Sequence, residues 1–264
     1  MSIQVMMQML GQGFLVSLQL FVLTLLGSIP LGIPVAFMRM SKIAPLRWIA
    51  RIYISVMRGT PLMLQMFAIY FAPYYVFGIS LTPDSKWTAC VVAFIINYAG
   101  YFAEIYRSGL QSIPRGQYEA AEVLGYSRVQ TFMKIVLPQV VKRILPSITN
   151  EVITLVKDTS LAFVIGYAEL FTLVKRIASR EANVLPYVGA AIFYYIFNLV
   201  VAVAMEKLEK EGYTHIAVQP THVMHGEEYE KLLSQLEPFR QKLNVWVGEP
   251  LLDRQEDYAQ ASDA

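Results

Sequence analysis

Hydrophobic and polar positions come in blocks along this chain. Residues 1–38 carry no charged side chain, and neither do 59–83, 87–103 or 182–205. Each block approaches the ~20 residues that a helix needs to cross the apolar part of a bilayer. A fifth apolar stretch, 144–173, is interrupted by Glu151, Lys157, Asp158 and Glu169, so hydropathy ranks it last. The pattern predicts five membrane-spanning helices. The first block lacks a basic leading segment and a small-residue cleavage site, and its apolar part is too long for a signal peptide, so it is read as a retained span.

The polar blocks set the orientation. Arg39, Lys42, Arg47, Arg51 and Arg58 follow the first span with no acid among them, which marks that side as cytoplasmic and places the N-terminus outside. Only Asp84 and Lys86 lie between the second and third spans, as expected of an external loop. Past the third span come Arg107, Arg115, Arg128, Lys134, Lys142 and Arg143, on the cytoplasmic side, where five spans also leave the C-terminus. Lys175, Arg176 and Arg180 run against this scheme, because they would lie outside.

Composition agrees with the blocks. Of 264 residues, 55% are hydrophobic and 16% charged, too apolar for most soluble domains. Membrane lipid is the expected surrounding and nucleic acid is not an expected partner. Cys90 stands alone in the third span, without a partner for a disulfide or metal site, and reads as a small buried apolar residue.

Between the third and fourth spans lies a polar, helix-capable loop, 111–138. Ser112 can cap a helix whose second position is Pro114 and which runs through Tyr118, Glu119, Ala120 and Ala121 to Leu124. Gly125 tolerates the positive φ that ends it. Ser127 and Gln130 have the spacing of a capping box for a second short helix, with Val129, Phe132, Met133 and Val136 along one face. Pro138 stops that helix or turns it into the next span. Two alanines allow another surface to come close, so the loop reads either as a docking element or as an amphipathic helix resting on headgroups.

Glu119-Ala120-Ala121, three residues, Gly125, nine residues, then Ile135, Leu137 and Pro138 match at every fixed position the EAA loop of ABC importer permeases. Arg58-Gly59-Thr60-Pro61-Leu62, Tyr101 to Arg107, Gly116-Gln117 and Lys157-Asp158-Thr159-Ser160-Leu161 resemble the polar amino acid uptake branch of that family, over about residues 10–210. The resemblance implies the type I permease fold, with five spans in residues 1–210. It also implies pairing with a second permease subunit, identical or different, in the plasma membrane of a prokaryote. A cytoplasmic ATPase would drive transport, and a periplasmic or extracellular amino-acid-binding protein would supply the solute. No GxxxxGK[ST] phosphate loop occurs here, so ATP and Mg would be bound by the partner ATPase and this chain is expected to hold no cofactor and catalyse nothing. The EAA loop would be seated in that ATPase.

Several polar residues near the membrane each admit two readings. Glu104 and Arg107, one helical turn apart, can pair as a snorkelling interfacial couple or as a gate. Asn97 can line a solute path or bond another helix. Lys157 and Asp158, followed by Thr159 and Ser160, are either functional groups inside the membrane or residues at its edge, and as sequence neighbours each needs another partner. Arg58 and Thr60, in a turn set by Gly59 and Pro61, anchor the second span or carry a gate.

Residues 211–264 change character. They hold all three histidines, His215, His222 and His225, and ten acids against four bases, a net −6, where the rest of the chain is +8. A strand at 215–219, a helix from 227 to about 243 and a strand at 244–247 make a short, incomplete βαβ unit, too small to be stable alone. Its sequence resembles the middle of anaerobic-type sirohydrochlorin cobalt chelatases. That resemblance implies a metal ligand at Glu228, with His222 beside it, and an alternative function as a membrane-tethered chelatase. An acidic helix start in solvent accounts for the same residues. The tail is expected to be a fragment and not an independent domain.

Overall fold

A computed structural model describes residues 2–211 and, beyond them, 215–218, 230, 233–234, 237 and 244–247. Helix α1 runs from Ile3 to Met40, started by Ser2, whose hydroxyl accepts the Val5 N–H at 3.3 Å. Its buried positions are small residues over much of their length: Gly13, Ser17, Thr24, Ser28, Gly32 and Ala36. The Thr24 and Ser28 hydroxyls donate to the carbonyls of Leu20 and Thr24, so neither needs a partner outside the helix. Against this stripe lies α4 (Pro83–Gln111), which carries the fully buried Ala93, Phe94, Phe102 and Ala103. The approach is close: a Cβ on Gly32 would stand 2.9 Å from Phe102 Cβ. Small residues drive such packing in lipid, where apolar burial alone gains nothing.

Between them in sequence come α2 (Ala44–Gly59) and α3 (Leu62–Phe77), bent by 111° where Thr60 and Pro61 separate them. After α4 follow α5 (Arg115–Val123), the three-residue α6 (Arg128–Gln130), a π-helical segment Thr131–Val136 and α7 (Leu137–Asp158). A 3-10 helix (Thr159–Ile165), α8 (Leu170–Glu181) and α9 (Leu185–Glu211) complete the helical part.

Among the described residues, three helices, Ile3–Met40, Asp84–Gln111 and Leu185–Leu208, are long and apolar enough to cross a membrane, and the bent pair α2–α3 is apolar enough to count as a fourth where it is taken as one broken span. The stretch 144–173 is not one continuous helix. Helix α7 ends at Asp158, the 3-10 helix closes on Gly166 at φ +68°, and Glu169 caps a new helix, α8, with its carboxylate. Asp158 and Glu169, two of the charged interruptions noted in the sequence, bracket that break, while Glu151 lies within α7.

The bundle has two distinct ends. At one, the first turns of α1 meet α8 and the start of α9 in a cluster of Met6, Leu10, Leu170, Val174, Ile177 and Ala190. Trp87, near the start of α4, stacks on Tyr167 with ring centres 5.0 Å apart. At the other end Ala36, Ile54 and Ala103 come together, as do Ile113, Val136, Val140 and Ile144.

Residues Met1–Glu206 form one compact unit and Lys207–Ala264 a second. In the second, β1 (His215–Val218) and β2 (Asn244–Val247) pair in parallel, His215 opposite Asn244 and Val218 opposite Val247. Glu230, Leu233, Ser234 and Glu237 are helical. His222, His225 and Glu228 lie outside the described residues.

Candidate functional site

The loop after α4 is built by local rules, with one departure from the sequence reading. Ser112 does not cap α5; it closes α4, and its hydroxyl donates to Gly109 O at 2.7 Å. The reason is Pro114, which pushes the residue before it out of helical geometry. Pro114 itself takes the N-cap position, extended at ψ 143°. Gly125 then adopts φ +76°, its N–H donates to Glu122 O and the Tyr126 N–H reaches back to Ala121 O, both at 3.0 Å. That reciprocal pair is the Schellman ending, which favours glycine at this position. Ser127 and Gln130 form the expected capping box, with the Gln130 side chain accepting from the Ser127 N–H at 2.9 Å.

Pro138 does not stop the second helix. The chain widens into the π segment and runs on into α7, and Gln139 Nε2 donates to Ile135 O at 2.9 Å. Gln139 also donates to Gln117 Oε1 at 3.2 Å, and Arg143 to Ser112 O, which ties α5 and the end of α4 to α7. Glu119, Ala120, Gly125 and Pro138 are exposed and Ile135 and Leu137 half-buried, while Ala121 is buried, so only one of the two alanines faces outward. Val123 and Leu124 project from the turn, 88% and 72% exposed.

A second feature is a polar cavity of about 500 Å³ lined by residues of α2, the α2–α3 break, α3, α4, α7 and the 3-10 helix. Arg58, Thr60, Asn97 and Asp158 line it, four residues singled out in the sequence as candidates, together with Tyr98, Tyr101, Glu151 and Thr154, to which the sequence reading gave no role in a solute path. The Tyr98 hydroxyl donates to Asp158 Oδ2 at 2.8 Å, giving Asp158 the partner that its sequence neighbour Lys157 could not be. Arg58 sits 5.2 Å from the centre of the Tyr101 ring. Glu151 and Asp158, two helical turns apart on α7, stand on one face. The cavity thus holds one cation and two carboxylates, groups that can meet both ends of a zwitterion.

The break beside it is held by side-chain amides. Asn97 Nδ2 donates to Met57 O at 2.9 Å and to Gln65 Oε1 at 3.0 Å, and Gln65 Nε2 donates to Thr60 Oγ1 at 2.8 Å. Other marked residues do not reach the cavity. The Thr159 and Ser160 hydroxyls donate back to Val156 O and Lys157 O, each at 2.8 Å, and Lys157 is exposed. Glu104 and Arg107 form an ion pair near the end of α4, with Arg107 also donating to Gln111.

Gln65 and Tyr98 were missed because the partners Asn97 and Asp158 lie on other helices. Glu151 and Asp158 had a local signal, the seven-residue spacing that aligns two acids on one face. Among the described residues no cluster of His, Cys, Asp and Glu could hold a metal.

Residues 28–211 match the family model described as binding-protein-dependent transport system inner membrane component. The chain is similar to the L-cystine transport system permease protein TcyB of Bacillus subtilis (strain 168), 33% identical over 210 residues that cover 79% of this chain and 88% of the relative. It is 40% identical over 186 residues to the probable amino-acid ABC transporter permease protein YckA of the same organism, covering 70% and 80% of the two chains. Among solved structures, the crystal structure of an amino acid ABC transporter with histidines superposes with a TM-score of 0.71 at 33% identity, over 77% of this chain and 94% of that one.

Proposed function

The chain belongs to the family of binding-protein-dependent transport system inner membrane components, and within that family we propose a specific division of labour among its parts. It is a membrane-spanning permease of an amino-acid ABC importer and not an enzyme. It works with an ATPase and a substrate-binding protein. In our reading α7 serves as the fifth span, the EAA end faces the cytoplasm, the N-terminus lies outside, and a second permease subunit completes the pathway. ATP and Mg belong to the ATPase.

One observation carries the coupling role. The Gly125 turn presents Val123, Leu124 and Ala120 outward, at the end of the bundle where the basic loops gather. Exposed apolar residues on a rigid, capped turn suit a protein partner better than water. The polar cavity is the part of the solute path that this chain contributes, with Arg58 for the carboxylate of a polar amino acid and Glu151 and Asp158 for its ammonium. The tail is a passenger, and its metal ligands His222 and Glu228 remain a proposal carried by the resemblance alone.

Reconstitution of the chain with its second permease subunit and ATPase in proteoliposomes tests this reading. ATP and the loaded binding protein should drive uptake of a labelled amino acid. No uptake of any amino acid by the assembled complex would overturn it.

A further inference from the structure

Lys175, Arg176 and Arg180 carry positive charge that the loop asymmetry leaves unexplained, and the fold shows how they are displayed. Helix α8 buries Leu170, Val174, Ile177 and Ala178 and exposes Lys175, Arg176, Ser179 and Arg180, with Glu181 at its end paired to Arg180 at 3.2 Å, so that Lys175 and Arg176 carry the positive charge of the face. No large apolar side chain of α8 is exposed among these charges. A helix that rests on lipid needs an apolar face to insert, and α8 has spent its apolar face on the protein.

The helix is also fastened. Glu169, fully buried, accepts from Phe171 N at 2.7 Å and from Thr172 N and Oγ1 at 2.6 and 2.8 Å. Ser17 of α1 and Tyr194 of α9 each donate to the same carboxylate at 3.4 Å. The start of α8 is therefore held by both neighbouring helices, and its charged face points away from the cluster of Met6, Leu10 and Ala190. This is the end of the bundle opposite the EAA loop.

We propose that the basic stripe of α8 is a docking surface for an acidic patch on the substrate-binding protein. This rests on the reading that the EAA end is cytoplasmic, which puts α8 on the side where that protein delivers solute. Fixed charge of one sign raises the rate of encounter with a partner of the other sign and sets its register.

The test uses the assembled transporter in nanodiscs of neutral lipid and its purified cognate substrate-binding protein. Lys175→Gln/Arg176→Gln should weaken binding about tenfold at about 50 mM salt and less than about twofold at about 500 mM, since the attraction is screened. Basal ATP hydrolysis should be unchanged, and Lys175→Arg/Arg176→Lys should bind like the parent. Equal affinity of parent and double variant at low salt would overturn the inference, as would a loss of binding that salt does not alter. A double variant whose defect appears only when anionic lipid is added would assign the stripe to headgroups and also overturn it. A parent complex that the binding protein fails to stimulate at any salt would instead overturn the proposed function.

Discussion

Asn97 holds the Met57 carbonyl at 2.9 Å, so a side chain of α4 fixes the break between α2 and α3 from outside both helices. The same amide reaches Gln65 on the far side of the bend. Replacing it with leucine leaves the buried Gln65 Oε1 without its donor and takes one of two donors from Met57 O, which Gln65 Nε2 also reaches at 3.1 Å, a loss of about 1–3 kcal/mol. Asn97→Leu should lower the melting temperature of the detergent-purified complex and reduce uptake in proportion to folded protein. A variant of normal stability with no uptake would show that Asn97 serves the solute and not the bend.

Gly125→Val tests the turn. No atom other than its own neighbours lies within 4 Å of a Cβ placed there, so the substitution acts through backbone conformation and not through a clash. A β-branched residue in the left-handed region costs about 1–2 kcal/mol and shifts the outward pair Val123 and Leu124. Membrane abundance should match the parent while ATP-driven uptake is lost. Uptake equal to the parent at equal abundance would sink the coupling role.

Asp158→Asn separates charge from hydrogen bonding in the cavity. Asparagine can still accept from the Tyr98 hydroxyl, so stability should hold, while uptake should fall about tenfold or more, equivalent to about 1.4 kcal/mol of lost attraction. Tyr98→Phe, which keeps the charge, should have a smaller effect on uptake. Equal rates and KM for Asp158→Asn and parent would remove that carboxylate from the solute path.

Reporter fusions at residues 45 and 125 should report the cytoplasm, and one at residue 84 the outside, following the loop charges. An external signal at 125 would put the EAA loop beyond reach of the ATPase.

Deletion after Lys210 should leave uptake nearly unchanged, because the helices that line the cavity and form the EAA loop all precede it. Insertion of cobalt into sirohydrochlorin by the full chain, lost on Glu228→Ala, would make the tail an active part.

What the sequence disclosed depended on range. The Ser127 capping box and the Gly125 turn involve residues three to five apart, and their spacing names them directly. Ser112 misled because a serine two residues before a proline looks like a cap until the restriction on Ile113 is applied. The 144–173 stretch misled for another reason: averaged hydropathy passes over single residues such as Gly166 and Glu169, which decide where a helix ends. Ser17 and Glu169 are 152 positions apart, and Tyr98 and Asp158 sixty, so no local period pairs them. Lys175, Arg176 and Arg180 were legible as an anomaly, and only packing gave them a face.

From Arg128 to Asp158 the chain is helical without interruption, through the π segment and past Pro138. At roughly 1.5 Å per residue that is a beam about 45 Å long, with the capped turn of the EAA loop at one end and an acid of the polar cavity at the other. A tilt of about ten degrees around its middle would swing each end about 4 Å in opposite senses. Motion imposed at the EAA end thus has a direct mechanical route to the width of the cavity.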